Sequence, residues 1–221
     1  MRSRTFVALI GFCLATHGSN AQSLSIGGIP YALEWEGHPV HFDTDSDRLV
    51  IEAGHWTDLY RDPSGHHNQD NAPRLMCPVD SDFTLSAAIQ PDFIGQWSSG
   101  GILLEGDSTH WIKFCFEKDY TGANRVVSVS TKELSDDCNS MALEMGKAYF
   151  TIAKTGDVVQ LYCSTDDRHW YLIRRVNLGF RGPMKAGFIV QAPNPRGCRV
   201  VFSRIRYTRR RVTDPFQPGS F

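Results

Sequence analysis

Apolar residues recur at every second position along most of this chain. The segments 48–54, 83–90, 99–106, 110–118 and 124–131 alternate in this way, as do 148–154, 157–164, 170–176, 185–192 and 198–208. A period of two puts successive side chains on opposite faces of an extended strand, so each segment is predicted to be a β-strand. Turn-forming residues separate them: Gly106-Asp107, Thr121-Gly122, Thr155-Gly156-Asp157, Asp166-Asp167 and Asn194-Pro195-Arg196-Gly197. No stretch carries a helical stripe. Strands at this spacing predict an all-β protein, a sandwich or jelly roll of antiparallel sheets.

Alternation also assigns faces. In 110–118, Ile112, Phe114 and Phe116 point one way, while Trp111, Lys113, Cys115 and Glu117 point the other. Phe83, Leu85, Ala87 and Ile89 are expected to extend the apolar side, with Val127 and Val129. Ser86, Ala88, Gln90, Ser128 and Ser130 are expected on the polar side. This predicts an exposed Trp111 between polar neighbours, a platform for a sugar ring whose hydroxyls Lys113 and Glu117 would bond. The alternative is a Trp111 covered by a long loop.

The first residues stand apart. Met1 to Arg4 are basic, Phe6 to Ala15 form an apolar run, and Ser19-Asn20-Ala21 supplies small residues. This is the layout of a signal peptide over 1–21, cut after Ala21, and it predicts a secreted or periplasmic protein. The run is shorter than the roughly 20 residues a membrane span needs. The expected division is then a β-sandwich over 22–208 and a frayed tail over 209–221. Removing Arg2 and Arg4 from 23 basic residues leaves 21 against 24 acidic ones. A slightly negative chain has no general attraction for nucleic acid or anionic membrane. The basic cluster Arg204, Arg206 and Arg209 to Arg211 reads as a solvated strand end. Beyond the leader, Cys77, Cys115, Cys138, Cys163 and Cys198 leave room for one or two disulfides, and the odd count leaves a thiol over. None of their spacings suggests zinc.

Candidate chemistry gathers in "HWTDLYRDPSGHHNQDN" (55–71). Asp58 and Arg61 read as an ion pair at a strand end. His66, His67 and Asp70 read as a solvated loop more readily than as metal ligands. "DTDSD" (43–47) lacks the glycine and glutamate of a twelve-residue calcium loop, so no cofactor is expected and a looser calcium site is the weaker alternative. In "STDDRHW", Asp166 is expected to accept turn amides while Trp170 packs beneath, and Asp167 to take a left-handed turn. Glu105 and Glu117 lie on either side of a hairpin, about 20 Å apart at ~3.3 Å per residue. That is too far for the paired carboxyls of a glycosidase, which stand about 5–9.5 Å apart; a partner for Glu117 would have to come from Asp58 or Asp70.

Five segments in order carry a resemblance: "TDLYRD" (57–62), "HWIKFCFE" (110–117), "VVSVSTKELSDD" (126–137), "YCSTDDRHWYLIR" (162–174) and "GPMKAGFIVQAP" (182–193). Together they resemble the "regulation of enolase" family of the concanavalin A-like lectin/glucanase superfamily, over Leu33 to Phe202. The resemblance implies a concanavalin A-like jelly roll whose concave sheet binds carbohydrate, and it implies no established catalysis. It places Asp58 and Arg61 at the edge of that face beside Trp111, where the arginine fork suits a carboxylate such as a uronic acid. Where the family carries a glycine and a tryptophan, Cys115 and Cys138 stand here, and this implies a disulfide between them. The resulting expectation is a module that binds a glycan or acidic sugar through Asp58, Arg61, Trp111, Lys113 and Glu117. The rivals are a polysaccharide-cleaving hydrolase or lyase and a protein-interaction or cell-surface module.

Overall fold

The computed structural model describes residues 23–221, so the expected leader lies outside the described residues. Sixteen strands follow one another. They are β1 (Glu34–Glu36), β2 (His41–Asp45), β3 (Arg48–Ala53), β4 (Leu59–Arg61), β5 (Asn68–Asp70), β6 (Arg74–Pro78), β7 (Phe83–Pro91) and β8 (Ser99–Asp107). Then come β9 (His110–Lys118), β10 (Asn124–Lys132), β11 (Leu134–Ala142), β12 (Ala148–Thr155), β13 (Val158–Ser164), β14 (Tyr171–Asn177), β15 (Lys185–Gln191) and β16 (Cys198–Thr208). Two seven-stranded antiparallel sheets form a jelly-roll sandwich, as the alternation predicts. The first sheet has the order β1-β6-β15-β8-β9-β10-β11 and the second β14-β13-β12-β7-β16-β3-β2. A separate hairpin, β4–β5, completes the set.

The core lies between the sheets. Ile112, Phe114 and Phe116 of β9 meet Phe83, Leu85 and Phe150 from the second sheet. Phe114 packs edge-on against Phe150 with centroids 4.8 Å apart, and Phe188 meets Phe202 at 4.9 Å, so aromatic pairs bridge the layers. In β16 the buried positions change parity, from Val200 and Phe202 to Ile205 and Tyr207. A bulge between Ser203 and Arg206, with Arg204 at φ 51°, absorbs the extra residue.

Several expectations are corrected. β7 belongs to the second sheet, so Ser86, Ala88 and Gln90 do not extend the β9 face. In β10 the faces are reversed: Val127 pairs with Cys115 and Val129 with Lys113, whereas Ser128 pairs with Phe114 and Ser130 with Ile112. Paired residues of an antiparallel ladder share a face, so the valines look outward and the serines inward. The same register overturns the Cys115–Cys138 disulfide. Cys138 pairs with Ser128, on the opposite face from Cys115 and one strand beyond β10. All five cysteines of the described residues are free thiols.

The tail is not frayed. Val212 is buried, and Phe221 packs on Tyr162 and Trp170 over the outer face of the second sheet, with centroids 5.0 Å away in each case. The Tyr162 hydroxyl donates to the Pro215 carbonyl at 3.0 Å. Asp166 does accept the amides of Arg168 and His169, and Asp167 sits at φ 62°. Trp170, however, packs against the tail. Four of the five arginines of the basic cluster have carboxylate partners: Arg204 and Arg206 pair with Asp167, Arg209 with Asp80, and Arg211 with Asp82, while Arg210 donates to the Ser220 and Pro218 carbonyls.

The largest correction concerns Trp111, which is 0% exposed. The stretch 55–71 folds as the β4–β5 hairpin and its flanks, and Leu59 and Tyr60 pack with Trp111, Met76, Leu103, Val127, Val129 and Ile189 into a second core. Trp111 is thus a wall stud between sheet and hairpin, unavailable for stacking on a sugar. Trp111→Ala is therefore expected to cost about 3–5 kcal/mol of stability, the usual loss for a buried tryptophan. A urea titration reads this as a lower midpoint; an unchanged midpoint would mean an exposed indole.

Candidate functional site

The hairpin covers only part of the outward face of the first sheet. Beyond its edge a cavity of about 400 Å³ remains, lined by Asp58, Tyr60, His67, Trp97, Lys113, Glu117, Val127, Val129, Asp137, Asn139, Gln191 and Pro193. Its floor is the outward face of β9 and β10. Its sides come from β11, the end of β15, the hairpin, and the loop before β8. The volume is within the range of small-molecule pockets, about 300–1,000 Å³.

Lys113 is fixed. It is 2% exposed, and its Nζ donates to the Leu59 carbonyl at 2.8 Å and to Gln191 Oε1 at 2.6 Å. Asp58 Oδ1 lies 3.6 Å from the same ammonium, and the Trp111 ring centroid 5.7 Å away. Asp58 Oδ1 also accepts the Leu59 amide at 2.8 Å. On the other side, the Tyr60 hydroxyl donates to Asp137 Oδ2 at 2.8 Å, and burial together with this bond pushes the phenol well above its ordinary pKa.

Glu117 is different. It is 6% exposed, and among the described residues no side chain hydrogen-bonds to its carboxyl group, which faces the cavity. Burial pushes its pKa up to about 8. Lys113 pulls it down, while Asp58, Asp137 and Asp119 push it further up. Loss of hydration penalises the carboxylate more than one already engaged ammonium can offset, so the group holds its proton at neutral pH.

Nearby Asp119 has the opposite fate. Burial works against its charge, but bonds from Thr121, Arg125 and the Ala123 amide outweigh it and hold the pKa well below the carboxylate range. Its role is to shape the turn that ends β9.

Three of the five predicted site residues, Asp58, Lys113 and Glu117, line the cavity; Trp111 lies sealed beside it. Arg61 does not reach it and does not pair with Asp58, whose ionic partner is Lys113. Its Nε donates to the Glu133 carbonyl at 2.6 Å and its amide to Ser135 Oγ at 3.1 Å, clipping the hairpin to the β10–β11 turn. Asp70 is drawn away to Arg74 at 2.7 Å, where Glu36 and Glu105 also gather, each at 3.2 Å. Glu105 stands opposite Trp111 and Glu117 opposite Ser99 on the same β8 strand. Their separation therefore holds at about 20 Å for six residues of strand. Asp43 lies 3.9 Å from Arg48, and among the described residues no three His, Cys, Asp or Glu side chains gather closely enough to hold a metal ion.

Sequence reasoning missed Tyr60, Trp97, Asp137, Asn139 and Gln191, and gave His67, which lines the cavity, to a solvated loop. Asp137 and Asn139 alternate about Cys138 on β11, whose polar composition conceals its strand character. Gln191 shares the outward parity of Ile189 and is the one polar side chain at that end of an apolar strand. Trp97, at φ 64°, stands on a loop with no periodic signal.

Comparison with known proteins places the fold. A functionally unknown protein from Saccharomyces cerevisiae superposes with a TM-score of 0.76 at 21% identity, covering 80% of this chain and 96% of that one. The GH43 protein BlXynB (K247S mutant) from Bacillus licheniformis gives 0.65 at 14% identity over 80% of this chain, which spans only 37% of that one. Lectin I-B4 from Griffonia simplicifolia gives 0.54 at 11% identity, with 80% and 92% of the two chains covered. These likenesses show a jelly-roll fold. No curated protein matches. A family model spans residues 35–210, and the chain belongs to that family, DUF1349, proteins of unknown function.

Proposed function

We propose that the protein binds a neutral saccharide in the cavity beside the β4–β5 hairpin. The observation that carries this reading is Glu117, a buried, unpartnered carboxyl group facing a cavity whose other walls are Trp97, Pro193, Val127 and Val129. Protonated, it both donates and accepts, which suits a sugar hydroxyl. Tyr60, Asp137 and Asn139 add polar contacts, and Trp97 offers the indole that Trp111 does not. The acidic-sugar variant is weaker, because Arg61 is elsewhere and the Lys113 ammonium is already held by Leu59, Gln191 and Asp58. The lectin and the GH43 protein among the structural neighbours support a carbohydrate role through fold alone. The narrower placing beside the regulation of enolase proteins rests on the sequence resemblance and carries no activity. The basic, apolar and small-residue order of residues 1–21 supports action outside the cytoplasm.

A second reading has one observation in its favour. A carboxyl group protonated near neutral pH, sharing a cavity with the side chains of Asp58 and Asp137, is the pattern of a general acid beside a second carboxyl group. It predicts reducing ends released from polysaccharide, with release abolished and binding retained in Glu117→Gln.

On a glycan array the wild-type protein is expected to retain neutral glycans, and Trp97→Ala to weaken them about tenfold, some 1.4 kcal/mol. A flat array from a folded protein refutes the saccharide reading. Proton linkage gives a separate check. Because the folded pKa of Glu117 is raised, its favourable contribution is full below the unfolded value near 4.5 and is lost as pH climbs through about 8. Relative to Glu117→Gln, the wild type should lose stability over that window, on the order of 5 kcal/mol. Parallel melting curves for the two proteins across the window would show that the carboxyl group titrates as an ordinary one.

A further inference from the structure

One end of the sandwich holds more than the cavity just described. Three segments, 55–58, 92–97 and 193–199, each run from that cavity to a second one of about 400 Å³. In the first segment Asp58 lines one cavity and His55 the other. In the second, Trp97 lines the first cavity while Asp92 and Ile94 line the second; in the third, Pro193 and Arg196 are divided in the same way. Trp56 stands on the strip of chain between them.

The backbone of this region is strained in a telling way. Six described residues other than glycine have positive φ, and three of them are Trp56 at 58°, Phe93 at 51° and Trp97 at 64°. A bulky residue in the left-handed region costs about 1–3 kcal/mol, and such residues collect at ligand clamps. Phe93 has a structural reason, since its ring packs edge-on against Phe116 at 4.9 Å. Trp56 has no such reason: the residue is 56% exposed, and Val40 and Ile94 of the second cavity are exposed as well.

The strain is imposed by a buried clamp. Asn194, 7% exposed, donates through Nδ2 to the Gln96 carbonyl at 3.0 Å and to Ser98 Oγ at 2.9 Å. Its own carbonyl accepts the Trp56 amide at 3.1 Å. Asn71 Nδ2 donates to the Trp56 carbonyl at 3.0 Å, and Asn71 Oδ1 accepts the Asp58 amide at 2.9 Å. Gly95 presses on the clamp so closely that a Cβ there would lie 2.5 Å from the Asn194 side chain. Three loops are thereby locked together, and the lock holds an exposed tryptophan at a strained angle where core packing has no use for it.

We propose that the second cavity is a further saccharide subsite and Trp56 the platform between the two, so that the ligand is an extended chain of several sugar units. The proposal rests on the saccharide reading of the first cavity. An exposed indole can stack against a ring of such a chain, and Glu52, Asp92, Arg196 and Arg199 around the second cavity offer hydrogen bonds to its hydroxyls.

The test uses xylo-, cello-, manno- and malto-oligosaccharides of increasing length, titrated by calorimetry against wild type, Trp56→Ala and Trp56→Gly. The glycine variant relaxes the left-handed backbone while still removing the ring, so that loss of the indole and strain are separated. In at least one series the wild type should bind a pentasaccharide about tenfold more tightly than a disaccharide, and both variants should lose that gain while keeping the disaccharide affinity. A length gain that survives in both variants, or disaccharide binding with no length gain in any series, overturns the second subsite and leaves the first intact. Binding of no saccharide at all removes both readings together.

Discussion

A buried ammonium organises this molecule. Lys113 projects from the middle of β9 and is almost wholly buried in the wall of the cavity, where an unpaired charge would cost several kcal/mol. It is met by a carbonyl of β4, the amide oxygen of Gln191 at the end of β15, and the Asp58 carboxylate. Those partners come from two distant parts of the chain, the Asp58-Leu59 pair at the start of the hairpin and Gln191, and satisfying them fixes where the hairpin lies on the sheet. Once the hairpin is there, Trp111 is covered, Leu59 has a core to enter, and the uncovered remainder of the face becomes a cavity. A buried ion pair is weak evidence for net stability, but a group with such specific requirements selects one seating of the hairpin over others that merely bury apolar area.

Ten of the sixteen described strands were legible because alternation is a local signal, and so were the inward faces of β7 and β9; the short strands β1, β2, β4, β5 and β6 and the polar β11 were not. What lay outside a local signal was not. Trp111 has outward parity, and outward parity reads as exposure until a distant segment lies across it. "HWTDLYRD" is polar enough to pass for a loop, yet its Leu59 and Tyr60 are what seal the indole. In β10 the apolar residues Val127 and Val129 suggested the inner core; they serve the second core instead, and only the ladder register distinguishes the two. The implied Cys115–Cys138 bridge failed for the same reason, since pairing parity puts the two sulfurs on opposite sides of one sheet.

Of the candidate site, Lys113 and Glu117 were readable because polar residues at outward parity in an apolar strand demand an explanation, whereas Asp58 was placed there by the family resemblance and assigned the wrong ionic partner. Arg61 was misplaced because its partner is a backbone carbonyl at Glu133, which no side-chain pattern announces. Trp97 and Trp56 carry no periodicity at all. Their distinguishing feature is a positive φ, produced by the clamp around Asn194, and a dihedral angle held by a long-range hydrogen bond leaves no trace in the sequence near it.

The same cavity that would receive a sugar also holds the elements of acid catalysis, and the hydrogen bonds decide how far they go. Glu117 has the proton an acid needs and the freedom to give it, being buried and unpartnered. Cleavage with a second carboxylate requires that partner to be free, either to attack a ring carbon or to deprotonate water. Asp58 is turned to the Leu59 amide and the Lys113 ammonium, and Asp137 accepts from a Tyr60 phenol that holds its proton tightly. Both carboxylates are engaged in holding walls together: freeing Asp58 would take a partner from the buried Lys113, and freeing Asp137 would break the exposed bond that ties the hairpin to β11. The balance of bonds therefore favours a site that recognises hydroxyl groups over one that breaks the bond between two sugars.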